Sequence, residues 1–108
     1  MDKYVAIYVT STQNGGEPIS EREHNATVAV ICRKFVEVFG GCTKTQGTGF
    51  WQSDTKGLIE EPVTIVKAYH TLENSEALAV VIPLARDIKT LFNQEAVSVE
   101  TERGLEFI

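Results

Sequence analysis

Five of the eight glycines and the single tryptophan of this 108-residue chain fall between Phe39 and Glu61, in FGGCTKTQGTGFWQSDTKGLIEE. Glycine takes positive φ and permits close backbone approach, so such a cluster beside one large aromatic demands a sharply bent hairpin rather than a plain connector. Gly40-Gly41 supplies a helix stop. Gly47 and Gly49 give the strand that carries Trp51 a bulge or a close backbone contact. Asp54-Thr55-Lys56-Gly57 closes the hairpin with a type I turn and its glycine.

The flanking patterns place the other elements. Tyr4 to Thr10, YVAIYVT, is β-branched and aromatic, with Val5, Ile7 and Val9 on one face and Tyr4, Ala6 and Tyr8 on the other, a central strand. Ser11 to Ser20 is polar and carries Asn14-Gly15-Gly16, a turn signal. Ser20 and Glu23 form a capping box for a helix from Glu21 to Phe39 that presents Val28, Ile31, Phe35 and Phe39. Cys42 to Ser53 and Leu58 to His70 are the hairpin strands, with Pro62 confined to an edge or a strand start. Asn74 or Ser75 caps a second helix with Leu78, Ile82, Ala85, Ile88 and Phe92 on one face, and Pro83 predicts a kink or a restart. Gln94 to Glu100 is a further strand, and Glu102-Arg103-Gly104 turns into a short one at Leu105 to Ile108.

The order β-α-β-β-α-β predicts an α+β, ferredoxin-like single domain over residues 1–108: a four-stranded antiparallel sheet, two helices on one face, and a short C-terminal hairpin. Apolar residues occur at both parities of the first and third strands. A sheet face left in water is normally polar, so the second face is expected to meet a ligand, a partner protein or a second copy, a homodimer first of all.

Ten basic against fifteen acidic residues give a net charge of -5. That field repels phosphate backbones, and no aromatic-rich RNA-binding strand motif is present, so nucleic acid is an unfavourable partner. No secretory signal and no membrane-spanning run are readable, which makes a cytoplasmic location the expectation. Cys32 and Cys42 are expected to be structural thiols. His24 and His70 lie far apart with no acid or cysteine at ligand spacing, so no metal and no cofactor is expected. Neither a G-x-S-x-G elbow nor a complete phosphate loop is present.

The residues Gly40, Gly41, Thr43, Gly49, Trp51, Gly57, Glu60 and Glu61, followed by Phe92, Gln94, Glu95 and Val97, form a pattern that resembles small bacterial and phage proteins of unknown function. The resemblance runs from about Ile31 to the C-terminus. It implies the ferredoxin-like fold and a phage or bacterial setting, and it carries no activity.

The candidate ligand site is Trp51, Glu60, Glu61, Arg22 and His70: across the hairpin an aromatic plate and carboxylates share one rim, which suits a flat ligand. Alternatively Trp51 anchors a core or dimer interface, and the glutamates are simply solvated. With no catalytic constellation, the leading expectation is a noncatalytic binding protein that holds a partner protein or a small, nucleotide-like ligand. The alternative is a small enzyme with a pocket between sheet and helices and Glu60 or His70 as acid or base.

Overall fold

Strand β1 (Lys3–Thr10) is central because it is apolar on both sides: Val5, Ala6, Ile7 and Val9 are all buried in the computed structural model. It pairs antiparallel with β3 (Gly57–His70), Tyr4 facing Tyr69, and with β4 (Ser98–Thr101), Ala6 facing Glu100. β2 (Thr43–Ser53) lies outside β3 and β5 (Gly104–Phe107) outside β4, giving the order β2-β3-β1-β4-β5. Residues 3–13 and 16–108 are described, so most of the turn expected at Asn14-Gly15-Gly16 lies outside the described residues.

The chain is therefore α+β with two helices, and the antiparallel sheet has five strands where four were expected. The C-terminal segment extends the sheet itself: Gly104, at φ 131°, reverses the chain tightly enough for Leu105 to face Glu100. The preceding strand is shorter than its alternation suggested, Ser98–Thr101 rather than from Gln94.

Helix α1 (Glu21–Phe39) starts where its cap dictates. The Ser20 hydroxyl accepts from the Glu23 amide at 3.1 Å and donates to the Glu23 carboxylate at 3.0 Å. It stops at Gly40, whose φ of 88° lets its amide return to the Val36 carbonyl at 2.9 Å. Helix α2 (Asn74–Leu91) is capped by Glu73, one residue before the expected Asn74 or Ser75, with the Glu76 side chain accepting from the Glu73 amide. It does not restart at Pro83 but runs unbroken. Pro83 and Ala79 are both exposed, so the carbonyl that proline leaves without a donor faces water, which meets its hydrogen-bonding need.

Both helices contribute to one core with Val5, Ile7, Val9, Val66, Ala68 and Val99 of the sheet. From α1 come Val28, Ile31 and Phe35; from α2 the buried residues are Ala77, Val81, Ala85 and Ile88, a stripe offset from the expected Leu78 and Ile82. Two alanines on that stripe let α2 approach the sheet closely, and each fully buried large side chain contributes about 1.5–3 kcal/mol.

The hairpin β2–β3 keeps one register throughout, from Thr43 facing Lys67 to Ser53 facing Gly57, so the bulge expected near Gly47 is not there. Gly49 instead serves close approach: a Cβ there would stand 3.0 Å from Val63 Cγ2 and 4.0 Å from Glu61 Cγ. Pro62 sits just past the last pairing of β1 with β3, Thr10 with Val63, where β3 has become an edge on that side and needs no amide.

Candidate functional site

Directly opposite residues of an antiparallel pair share a face, so Trp51, facing Ile59, and Gly49, facing Glu61, lie with Glu61 on the sheet side away from the helices. Glu61 is 1% exposed. Its Oε1 accepts from the Ser11 amide at 3.0 Å, the Thr12 amide at 3.1 Å and the Thr12 hydroxyl at 2.9 Å, and its Oε2 accepts from the Trp51 indole N–H. Such donors are what a buried carboxylate requires.

The segment that supplies them is folded back on itself. Ile19 donates to the Ser11 carbonyl at 2.8 Å and Gln13 to that of Glu17 at 2.7 Å, and Thr12 bridges Pro18. Gln94, just after α2, ties it down from the other side by donating to Thr10 Oγ1 and to the Thr12 carbonyl, each at 2.8 Å.

Glu61 borders two cavities. One, of 180 Å³, is lined by Trp51, Thr12, Gln94, Ala96 and Phe107 among others. The other, of 580 Å³, lies between the folded-back segment and the start of α1 and includes Glu21, His24, Gln46 and Glu60. Glu61 and Thr12 belong to both. Among the described residues no lysine or arginine lines either cavity, while glutamates line each. That charge pattern favours a cationic ligand and disfavours a phosphate.

Of the five residues singled out from sequence, the structure joins two, Trp51 and Glu61. Glu60 points to the opposite side of β3, exposed, and lines only the larger cavity. Arg22 is exposed in the first turn of α1 and borders neither cavity. His70 lies nine residues along β3 from Glu61, about 30 Å at the rise of an extended strand. It is buried with its ring 5.3 Å from that of Phe39. Sequence reasoning missed Ser11 and Thr12, whose backbone amides do the work. It noted Gln94 as the start of a strand and as part of a resemblance, with no role at the site.

A second polar group occupies the same side of the sheet. Tyr4 and Tyr8 each donate to Glu100 at 2.6 Å, and the Lys67 ammonium stands 4.1 Å from the Tyr4 ring centre and 4.9 Å from that of Tyr69. The hydrogen bond to Glu100, and then burial, push the Tyr8 phenol from 10.0 up to about 12. The bonds from Tyr4 and Tyr8 hold the Glu100 carboxyl below its ordinary value. A folded value above the unfolded one means that the stabilisation is fully present below the unfolded value near 10 and lost as pH rises through about 12. An ultraviolet titration of tyrosinate is expected to show a phase near pH 12 that moves toward ordinary tyrosine in Glu100→Gln. An unchanged profile in the variant contradicts the assignment.

No protein-family model matches the chain, nor does any curated protein sequence. Two solved structures share its fold. A phage SAM lyase in complex with S-methyl-5'-thioadenosine matches with a TM-score of 0.74 and 21% identity, over 98% of this chain and 88% of that one. A phage SAM lyase in the apo state matches with a TM-score of 0.71 and 21% identity, over 98% and 87%. At that identity the likeness establishes the fold. The expectation of a noncatalytic binding protein is nevertheless corrected by it, because this fold, followed over nearly the whole chain, is one that carries an enzyme with a small molecule bound.

Proposed function

We propose that this chain is a lyase that acts on a sulfonium compound of the S-adenosylmethionine (SAM) kind, bound beside Trp51 and Glu61. The observation that carries the reading is the buried Glu61 carboxylate, held by four donors between two cavities that have glutamates and no lysine or arginine among their described lining residues. A sulfonium is a permanent cation with apolar substituents, and a fixed anion beside an indole and other apolar surface complements it. The fold likeness to phage SAM lyase supports the same substrate class.

In a lyase reaction of such a compound a C–S bond breaks, and its electron pair stays with sulfur, which leaves as a neutral thioether, S-methyl-5'-thioadenosine. The four-carbon remainder replaces that pair either from its own carboxylate, closing a ring, or from a C–H bond whose proton passes to a base. Either route consumes the sulfonium charge, and charge-consuming steps are favoured where water is excluded. Glu61 binds and orients the cation. Glu60 and His70 are not assigned the acid or base role here: the first faces away from Trp51 and the second lies at the far end of β3.

The strand order of β1 to β4 agrees with a ferredoxin-like topology carrying β5 as an added edge. Leu105 and Phe107, 50% and 71% exposed on the open side of the sheet, support association with a second copy, and a cytoplasmic setting suits the two free thiols. Light scattering that gave a strict monomer at high concentration would remove the assembly from this account.

Because Trp51 is the single tryptophan, its emission reports the smaller cavity. Titration with S-methyl-5'-thioadenosine is expected to change that emission saturably, and a flat response up to millimolar ligand contradicts the site.

A further inference from the structure

The cavity beside Trp51 and Glu61 holds 180 Å³, below the roughly 300–1,000 Å³ of pockets that take drug-sized molecules, so a thioadenosine does not fit its resting shape. One wall has to move. Its two sides differ in kind: Trp51 and Glu61 stand on the β2–β3 hairpin, while Glu95, Ala96, Ser98 and Phe107 belong to the segment after α2 and the far half of the sheet.

The hairpin is the side that can give way. β1 accompanies β3 only from Val63 onward, so Gly57–Pro62 pair with β2 alone and the hairpin beyond that point is a two-stranded arm. A two-stranded hairpin is marginally stable by itself and keeps its place through what it touches. Among the described residues one hydrogen bond ties residues 47–60 to the chain outside the hairpin: Ser53 Oγ donates to Glu95 Oε1 at 3.2 Å. Their other hydrogen bonds, Trp51 to Glu61 included, stay within the hairpin. Ile59 adds an apolar contact, its Cδ1 so near Gly16 that a Cβ there would stand 2.8 Å away.

We infer that the β2–β3 arm is a lid over this cavity, with the Ser53–Glu95 hydrogen bond as its latch, and that a thioadenosine enters only after the latch opens. The inference rests on the function proposed above and adds to it the step by which that site takes a ligand larger than its resting volume. When only a fraction of the chains is open, the apparent affinity and the association rate are reduced by that fraction. Removing either partner of the latch therefore strengthens binding, the opposite of what the loss of a ligand contact does.

Stopped-flow mixing of the full chain with S-methyl-5'-thioadenosine, read by the emission of the single tryptophan, separates association from dissociation. Ser53→Ala and Glu95→Ala are each expected to speed association about threefold to tenfold, the size of one net hydrogen bond, with dissociation within about twofold of wild type. The probe is uncharged, so the lost carboxylate does not act by steering it. Ser53 also accepts from the Thr55 and Lys56 amides, so its variant disturbs the turn as well; Glu95 is exposed, and Glu95→Ala isolates the latch. Association no faster than wild type in Glu95→Ala, or weaker binding by it, overturns the inference while leaving the Trp51–Glu61 site standing. A wild-type chain that does not bind the probe overturns the site and the inference together.

Discussion

Glu61→Gln is expected to abolish turnover of a SAM-type substrate, with a loss of at least about a hundredfold in kcat/KM, the scale of removing one preorganised electrostatic partner. The same variant should lose roughly 2–4 kcal/mol of stability, because hydrogen bonds to a charged group are worth about 1.5–3 kcal/mol and a buried donor left unmet costs a similar amount. A glutamine at this position keeps the volume but turns an N–H₂ toward one of the donors now satisfied, either the Trp51 indole or the amides of Ser11 and Thr12. Urea unfolding and a steady-state assay read the two effects separately. Glu60→Gln, one residue away on the exposed side, is the control and should leave stability within about 0.5 kcal/mol. Wild-type turnover in Glu61→Gln would remove this carboxylate from the reaction.

Phe35→Ala is expected to produce the largest purely structural loss, about 3–5 kcal/mol in denaturant unfolding. Phe35 is 0% exposed, sits in the middle of the core between α1 and the sheet, and meets Phe39 edge to face with ring centres 5.3 Å apart. Phe39 in turn lies against His70, so the truncation undermines the packing at the far end of β3 as well. Against a typical total of about 5–15 kcal/mol for a domain, such a loss lowers Tm by roughly 15 °C or more. A loss below about 1 kcal/mol would mean that the site collapses without leaving a cavity.

Local chemistry made much of the fold readable. Ser20 with Glu23, Gly40 and Gly57 each signal a terminus or a turn by a mechanism confined to a few residues, and each does that work in the structure. The stripe of α2 was less readable. Ala85 and Ile88 fall on the face that periodicity predicts, but Leu78 and Ile82 are the larger residues and close approach to the sheet selects Ala77 and Val81 in their place, a choice made by tertiary packing. The number of strands was undercounted because GLEF is too short to declare whether it caps a hairpin or extends a sheet.

The site divides along the same line. Trp51 and Glu61 were readable as neighbours across a hairpin. Glu60 and Glu61 were indistinguishable until the register fixed which side of β3 each faces. Ser11 and Thr12 act through backbone amides, which have no residue signature, and their place depends on a polar segment folding back between β1 and α1. The reach of Gln94 to Thr10 and Thr12 joins positions more than eighty residues apart, beyond any local pattern.

The central claim is that the Trp51–Glu61 cleft cleaves a sulfonium substrate. The most direct measurement is incubation of the purified chain with SAM, followed by chromatography for S-methyl-5'-thioadenosine. The account predicts that the thioether accumulates in proportion to protein, faster than in buffer alone, with an equal amount of the four-carbon remainder, and that Glu61→Gln reduces the rate to that of buffer. SAM that decays no faster with the folded wild-type chain than without it would contradict the account.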